Sequence, residues 1–565
     1  MRVPALRVFG ALAASVVSLV ACDATVPEDG GEGEDLTAED AVKVGASPDL
    51  CVGVRGNGHY IVTHFASMAR IVETYGIPNG MAGGSSGSIT QFVYESVLMN
   101  PGVRTCGTRA CNKGQASARV ALTLKSLEGY GEAVAGSDEV VAITELVGLV
   151  SKLKAETEKR NIEALLKTDV AAATRQLQEV LAIPEFSAIV NPEIKELLAS
   201  PQRASFAAKD VQKSITTLGA FSVDDNRLFF RPGLLNWNAL ADLFGRVASF
   251  YAGYAPADVP GMKAWLDDCA EGSVGKPWTE AAAVSTPKGT CGERFVGLVN
   301  AYRKEVRAKP PTKSRIDDRV DLATPLMKLI STSVLEGEAA KAYKTARSEY
   351  LSGKYPDGNI AFAPPFADIK FGYWGRAADL EKVRGNPRGL DDLKTAKFSS
   401  LGGGSWREVL TASPAEPGLS RLVELPDGRV SAGGWSDLAP VLVLKNAGCQ
   451  KVVYVTREGD ESGFAVKIAK NLGMDKASWQ KLYDLSGQSA YTRSVAEADG
   501  VWCTNWNGFT DLQQREMSLD SFRAPLEVRA GLRSTRALRR YANVTDKTGK
   551  VGCTPLVSGG ATYPE

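Results

Sequence analysis

The chain has 565 residues, which at roughly 100–200 residues per domain leads us to expect more than one structural unit. Apolar residues make up 44% and charged residues 23%, a globular composition that excludes a disordered chain, a fibre or a coiled-coil rod. Lys and Arg total 66 against 65 Asp and Glu, a net charge of +1, so no global field favours nucleic acid or an anionic membrane.

The N-terminus reads as an address. Arg2 and Arg7 form a basic region, Phe9 to Val20 is apolar, and Leu19-Val20-Ala21-Cys22 resembles a bacterial lipobox, in which the cysteine carries the lipid. A plain signal peptide cut nearby is the alternative. Residues 1–22 are therefore expected to be a lipoprotein signal, and residues 23–46 an acidic solvated tether (Glu28, Asp29, Glu32, Glu34, Asp35). The expected location is the bacterial cell envelope, lipid-anchored, periplasmic or surface-facing. Beyond this segment no apolar run reaches the ~18–20 residues of a transmembrane helix. Eight cysteines remain after Cys22, an even number that suits disulfides in an oxidising compartment. Cys106–Cys111 is the easiest local pair, followed by Cys269–Cys291 and Cys503–Cys553.

Residues 47–100 read as strand, Gly-rich loop, helix, strand, tight turn and helix, the start of an α/β domain. Leu50-Cys51-Val52-Gly53-Val54 is a short buried strand. Phe65, Met68, Ala69, Ile71 and Val72 give helical spacing over Thr63–Tyr75, and Gly76 ends the helix. Gly83-Gly84-Ser85-Ser86-Gly87 is a G-x-S-x-G between an apolar lead-in and a helix. A strand-to-helix turn this sharp exposes the serine, and Gly83 and Gly87 let neighbouring backbone come close. The helix N-terminus favours negative charge developing at Ser85. Ser85 is the candidate nucleophile. Backbone amides at Gly56, Asn57 and Gly58, with that of Ser86, are candidates for an oxyanion hole. The alternative of a phosphate loop lacks the Gly-Lys-Ser/Thr ending.

A hydroxyl nucleophile needs a base. The only histidines, His59 and His64, both precede Ser85, whereas α/β-hydrolases place theirs late in the chain. They read as loop and helix-surface residues. A Ser–Asp dyad is the better chemical expectation. Two histidines also exclude a multi-histidine metal site in one chain, and neither metal nor cofactor is expected.

Residues 101–225 have the texture of a helical insertion, with long helical stretches at 140–154 and 162–181 and breaks at Pro184 and Pro192. Residues 226–358 mix helix and loop, with a helix from Trp237, loops over 255–290, and helices over 291–306 and 323–351. Strand character returns over 359–565, at 360–362, at 369–373, in a hairpin about Asp427-Gly428, and in the fully buried Lys451–Val455.

With these parts in order, the sequence resembles the patatin-like phospholipase family. That family joins a Gly-rich oxyanion loop, a G-x-S-x-G some thirty residues on, an Ala-Ser-x-Ala-x-Pro segment and a distant D-G-G/A. Here the third element is matched by Ala412-Ser413-Pro414-Ala415-Glu416-Pro417 and the last by Ala432-Gly433-Gly434 with Pro440 following. The resemblance covers residues 48–100 and about 360–460. It implies an α/β three-layer sandwich with a mainly parallel central sheet, here with a large helical insertion, and a Ser–Asp dyad acting on phospholipid or another acyl ester. One departure is serious: the dyad position holds Ala432. Asp427 lies at the wrong end of the hairpin, and Asp437, otherwise a helix cap, is the substitute candidate.

Two functions follow. One is a membrane-tethered serine acyl hydrolase. The other is a catalytically inactive relative that binds lipid or a partner at the envelope. No nucleic-acid partner is expected, and the sequence leaves the oligomeric state open.

Overall fold

The computed structural model describes residues 48–56, 61–134, 178, 191–199, 223–224, 227–228, 236–252, 261–308, 326–354, 368–385, 398–415, 421–433, 436–437, 439–457, 497–504 and 526–527. The expected lipobox and tether, the helix expected at 140–154, all but Gln178 of the helix expected at 162–181, the strand expected at 360–362, and Asn57, Gly58, His59 and Cys553 lie outside them.

The opening runs as its residues dictate: β1 (Leu50–Val54), α1 (Ile61–Tyr75), β2 (Gly80–Gly84) and α2 (Ser86–Met99). Then come α3 (Lys113–Val134), α4 (Trp237–Ala252), α5 (Met262–Cys269) and α6 (Cys291–Ala308). The loop-rich reading of 255–290 is thus corrected by α5, a short helix at Trp278–Ala282, and a small hairpin pairing Ser285 with Thr290.

A larger correction concerns 323–351. Met327–Leu335 is not helical but a nine-residue strand, β3, and only Gly337–Leu351 (α7) is a helix. Every residue of β3 is buried, so the polar/apolar alternation that marks a half-exposed strand is missing. The β-branched Ile330, Thr332 and Val334 are what favour a strand there. The remaining elements are β4 (Ile369–Gly375), α8 (Ala377–Gly385), β5 (Phe398–Gly402), α9 (Trp406–Ala412), β6 (Val423–Glu424), β7 (Val430–Gly433), α10 (Val441–Asn446), β8 (Lys451–Arg457), β9 (Gly500–Thr504) and β10 (Leu526–Glu527). The hairpin about Asp427-Gly428 is present as β6–β7.

Among the described residues, the ten strands β1–β10 form one mixed, mostly parallel sheet in the order β5-β4-β3-β2-β1-β8-β9-β10, with β7 pairing β3 and β6 pairing β7, apart from three two-stranded hairpins. The chain is an α/β protein. Strands β3, β2, β1, β8 and β9 run parallel in succession, and so do β4 and β5, whereas β10 lies antiparallel to β9. β4 lies antiparallel to β3.

Both faces are covered by helices. On one, Val52, Val54, Met81 and Ile330 pack with Met68 and Val72 of α1, Phe92 of α2 and Leu124 of α3. On the other, Cys51, Ala82, Leu329 and Tyr454 pack with Leu380 of α8 and Leu444 of α10. Full burial of each such large apolar side chain stabilises by about 1.5–3 kcal/mol.

Among the described residues three disulfides are present: Cys51–Cys449, Cys106–Cys111 and Cys269–Cys291. The first, bridging 398 residues, ties the start of β1 to the lead-in of β8. Local spacing carries no sign of the bond joining Cys51 to Cys449, because its partners become neighbours only through the parallel β1–β8 pair.

Candidate active site

The G-x-S-x-G forms a tight bend from β2 into α2. Ser85 has φ 53° and ψ −127° and is the one non-glycine residue with positive φ among those described. Such backbone costs about 1–3 kcal/mol, so surrounding structure must enforce it. The glycines show how. A Cβ on Gly83 would sit 2.4 Å from the Val54 carbonyl oxygen, and one on Gly87 would sit 3.0 Å from the same atom. The end of β1 therefore wedges between the two outer glycines of the motif. Gln91 reaches back and donates to the Gly83 carbonyl at 3.1 Å.

Ser85 occupies the N-cap of the 14-residue α2. A serine there ordinarily turns its hydroxyl onto the first helical turn. Here no such bond forms. Ser88 instead closes the turn, its amide and hydroxyl both donating to the Ser85 carbonyl, at 2.9 and 2.6 Å. The Ser85 hydroxyl makes no hydrogen bond to any described residue. It is left over the positive end of a helix, where a developing negative charge is stabilised.

The Gly-rich loop arrives from the end of β1. Arg55 still donates its amide to Val455 at 3.0 Å, as a continuation of the sheet. Gly56 then passes so close to the elbow that a Cβ on it would lie 3.0 Å from the Ser85 Cβ. Of the expected oxyanion residues, the structure brings Gly56 and Ser86 to Ser85.

His64 corrects a sequence-based expectation. It is not on a helix surface but wholly buried. Its Nδ1 lies 2.8 Å from the Thr90 hydroxyl on α2, and its ring also bonds the backbone of Arg55. That second bond favours the protonated ring, so the imidazole donates and the carbonyl accepts. Burial outweighs it and pushes the histidine down to about 3, leaving it neutral. A signal was available: His64 shares helical spacing with Met68, Ile71 and Tyr75, the stripe that faces the core.

The acid side is built differently. β7 runs antiparallel to β3 just beyond the end of β2: Gly84 pairs with Ser331, while Gly433 pairs with Ser333. Two residues of strand separate these pairs, about 7 Å. The register slips between Ser431 and Gly433, so Ala432 is an extra, bulged residue, and it is fully buried. Gly433 has φ 48°, and a Cβ there would collide with the Ala415 carbonyl oxygen at 1.9 Å. The four sequence features of the resemblance thus meet around one bend.

Asp437 lies on the opposite face of the sheet from α2. Its carboxylate accepts from the Tyr373 hydroxyl at 2.6 Å and from the Ala439 amide at 3.0 Å. Burial pushes its carboxyl above the usual range, against the pull of those two bonds. Tyr373 is buried on β4, two strands from β2 and so about 10 Å across the sheet. Between them, Ser331 and Ser436 fill the space under Gly84. A Cβ on Gly84 would lie 2.5 Å from the Ser331 hydroxyl and 2.3 Å from that of Ser436. Asp427, at the far turn of the hairpin, binds Arg429.

Among the described residues, no group of three or more His, Cys, Asp or Glu is placed to hold a metal ion. Nor is any described helix long and apolar enough to cross a membrane. No family model matches the sequence, and no curated protein matches it.

Proposed function

We propose that the chain is a serine acyl hydrolase of patatin-like, three-layer architecture, acting on phospholipid or another acyl ester and held at the bacterial envelope through Cys22. The observation that carries this reading is Ser85: a strained N-cap serine whose hydroxyl caps nothing. An ordinary cap would relax the backbone and use the hydroxyl.

In the proposed reaction the Ser85 oxygen attacks the ester carbonyl and its proton passes to a base. Amides about Gly56 and Ser86 hold the oxyanion, the alcohol leaves with a proton, and water releases the acid from the acyl-serine. Asp437 can take the serine proton only by leaving Tyr373 and Ala439. The helix terminus and the amides therefore carry most of the rate.

A second reading is a silent, lipid- or partner-binding relative. The buried Ala432, standing where the resemblance puts the acid, favours it. A fluorophosphonate probe separates the two. The expected result is one adduct on Ser85, absent in Ser85→Ala. Folded wild-type protein that takes no label overturns the enzyme and leaves the silent relative.

A further inference from the structure

The amide of Ser85, the first residue past β2, is the first to leave the sheet. Gly84 still pairs with Ser331 of β3, but one residue later the chain turns away with φ 53°. That turn would strand two buried polar groups, the Ser85 N–H and the Ser331 carbonyl, at a site with no room for bulk water. Neither is stranded. The Ser85 amide donates to the Ser413 hydroxyl at 3.0 Å, and that hydroxyl donates to the Ser331 carbonyl at 2.8 Å. Ser413 is wholly buried. It follows α9 directly and is the residue after that helix's last turn.

We infer that Ser413 is a positioning residue: its hydroxyl is spliced into the β2–β3 ladder in place of a direct backbone bond, and so fixes the bend that presents Ser85. This rests on the reading of Ser85 as a nucleophile only for its consequence, not for the splice itself.

Neighbouring bonds make the splice rigid. The Ser431 hydroxyl donates to the Ala412 carbonyl at 3.0 Å and accepts from the Gly433 amide at 3.2 Å. Thr332 of β3 lies 2.6 Å from the same Ser431 hydroxyl. The segment that carries Ser413 is thereby bonded to β3 and β7 on either side of the elbow. One further consequence follows. Because the Ser85 amide points at Ser413, it is not an oxyanion donor, and that role falls to other amides.

Two measurements on the full chain test this. Residue-resolved hydrogen exchange reads the splice, and the split of fluorophosphonate labelling into maximal rate and probe affinity reads its consequence. Wild-type protein is expected to protect the Ser85 amide as strongly as a ladder amide. Exchange of that amide at an unprotected rate overturns the inference without any variant. In Ser413→Ala the Ser85 amide should exchange about tenfold faster or more while Ser88 is unchanged, the scale of one lost buried hydrogen bond. The maximal labelling rate should fall about tenfold with probe affinity nearly unchanged. Ser413→Thr, which keeps the hydroxyl, should restore both.

Tyr302→Phe serves as a control, removing a bond to the Arg246 carbonyl in the helical layer. It should lower thermal stability and leave both readouts alone. If Ser413→Ala behaves like Tyr302→Phe, Ser413 is only structural and the inference fails. If exchange responds but wild-type protein takes no label, the splice stands and the hydrolase reading falls.

Discussion

The two sides of the candidate site are built to different standards. Around Ser85, backbone meets backbone: one carbonyl, that of Val54, leaves no room for a side chain at Gly83 and little at Gly87, and Gly56 passes close by the serine. Around residues 430–440 the same closeness surrounds Gly433, yet the buried bulge carries a methyl group, and the nearby carboxylate of Asp437 is bonded to Tyr373. On the proposed reading, one side is a complete nucleophile mount and the other an acid mount without its acid. The contrast shows that the shape of a serine site and its proton chemistry can part company, because the first is a matter of packing and the second of one functional group.

The most direct way to break that contrast is Ala432→Asp. A general base in reach of a nucleophile contributes about 10²–10⁴ in rate, so labelling of Ser85 should rise by a factor in that range. Thermal stability should fall, since the new carboxylate enters a site where Ala432 has no exposed surface. Folded Ala432→Asp protein with unchanged labelling would mean that the bulge does not face the serine.

Substitutions in the elbow sharpen the other side. Gly83→Ala should destabilise by about 1–3 kcal/mol and suppress labelling, as overpacking against fixed backbone does. Gly87→Ala should cost less, because its Cβ would lie 3.0 Å from the Val54 oxygen rather than 2.4 Å. Denaturant midpoints give the order, and equal losses would argue against a wedge by Val54.

The elbow was legible in the sequence because its requirements are local. Glycines two before and two after a serine, with an apolar strand ahead and a helix behind, are a steric statement about one bend. The Asp-Gly hairpin and the β1–α1–β2–α2 opening were legible for the same reason. What was not legible depends on distant chain. β3 looked helical because both its faces and all nine residues are buried, which removes the alternation. Ser413 touches Ser85 across 328 residues. The partner of Cys51 is set by which strands lie side by side, and no spacing rule conveys that. His64 could have been placed by its helical stripe, but a polar residue on an apolar face is easily read as an exception.

His64 tests whether the nucleophile side works without histidine chemistry. Burial holds its ring at about 3, far below its ordinary 6.5. The rate of Ser85 labelling should therefore show no histidine limb between about pH 5 and 8, where an ordinary imidazole titrates. Stability carries the opposite sign of evidence. The unfolded chain binds the proton that the fold excludes, so the contribution is full above 6.5 and is lost as pH falls towards 3. Its slope is at most about 1.4 kcal/mol per pH unit. His64→Gln, which can still accept from Thr90 and donate to Arg55, should flatten that slope. An unchanged slope would place the titration elsewhere.

The smallest effect is expected from Asp437→Asn, and it decides whether the acid side is truly vacant. Burial raises the Asp437 carboxyl in the folded state, so the fold favours the protonated form. Stability from this group is present below its unfolded pKa and is lost as pH rises through the higher folded value. Asparagine stands in for the neutral acid: its carbonyl accepts from Tyr373 or from Ala439, and it carries no charge to desolvate. Thermal stability at pH 7 should therefore increase slightly, with the gain fading in acid. Labelling of Ser85 should fall less than about tenfold, because a carboxylate already bonded to Tyr373 and Ala439 gives little general-base assistance, which otherwise contributes ~10²–10⁴. A loss of hundredfold or more, roughly the lower bound for a working base, would make Asp437 the proton acceptor. The two sides of the site would then be equally complete, with the acid reaching the serine from the opposite face of the sheet.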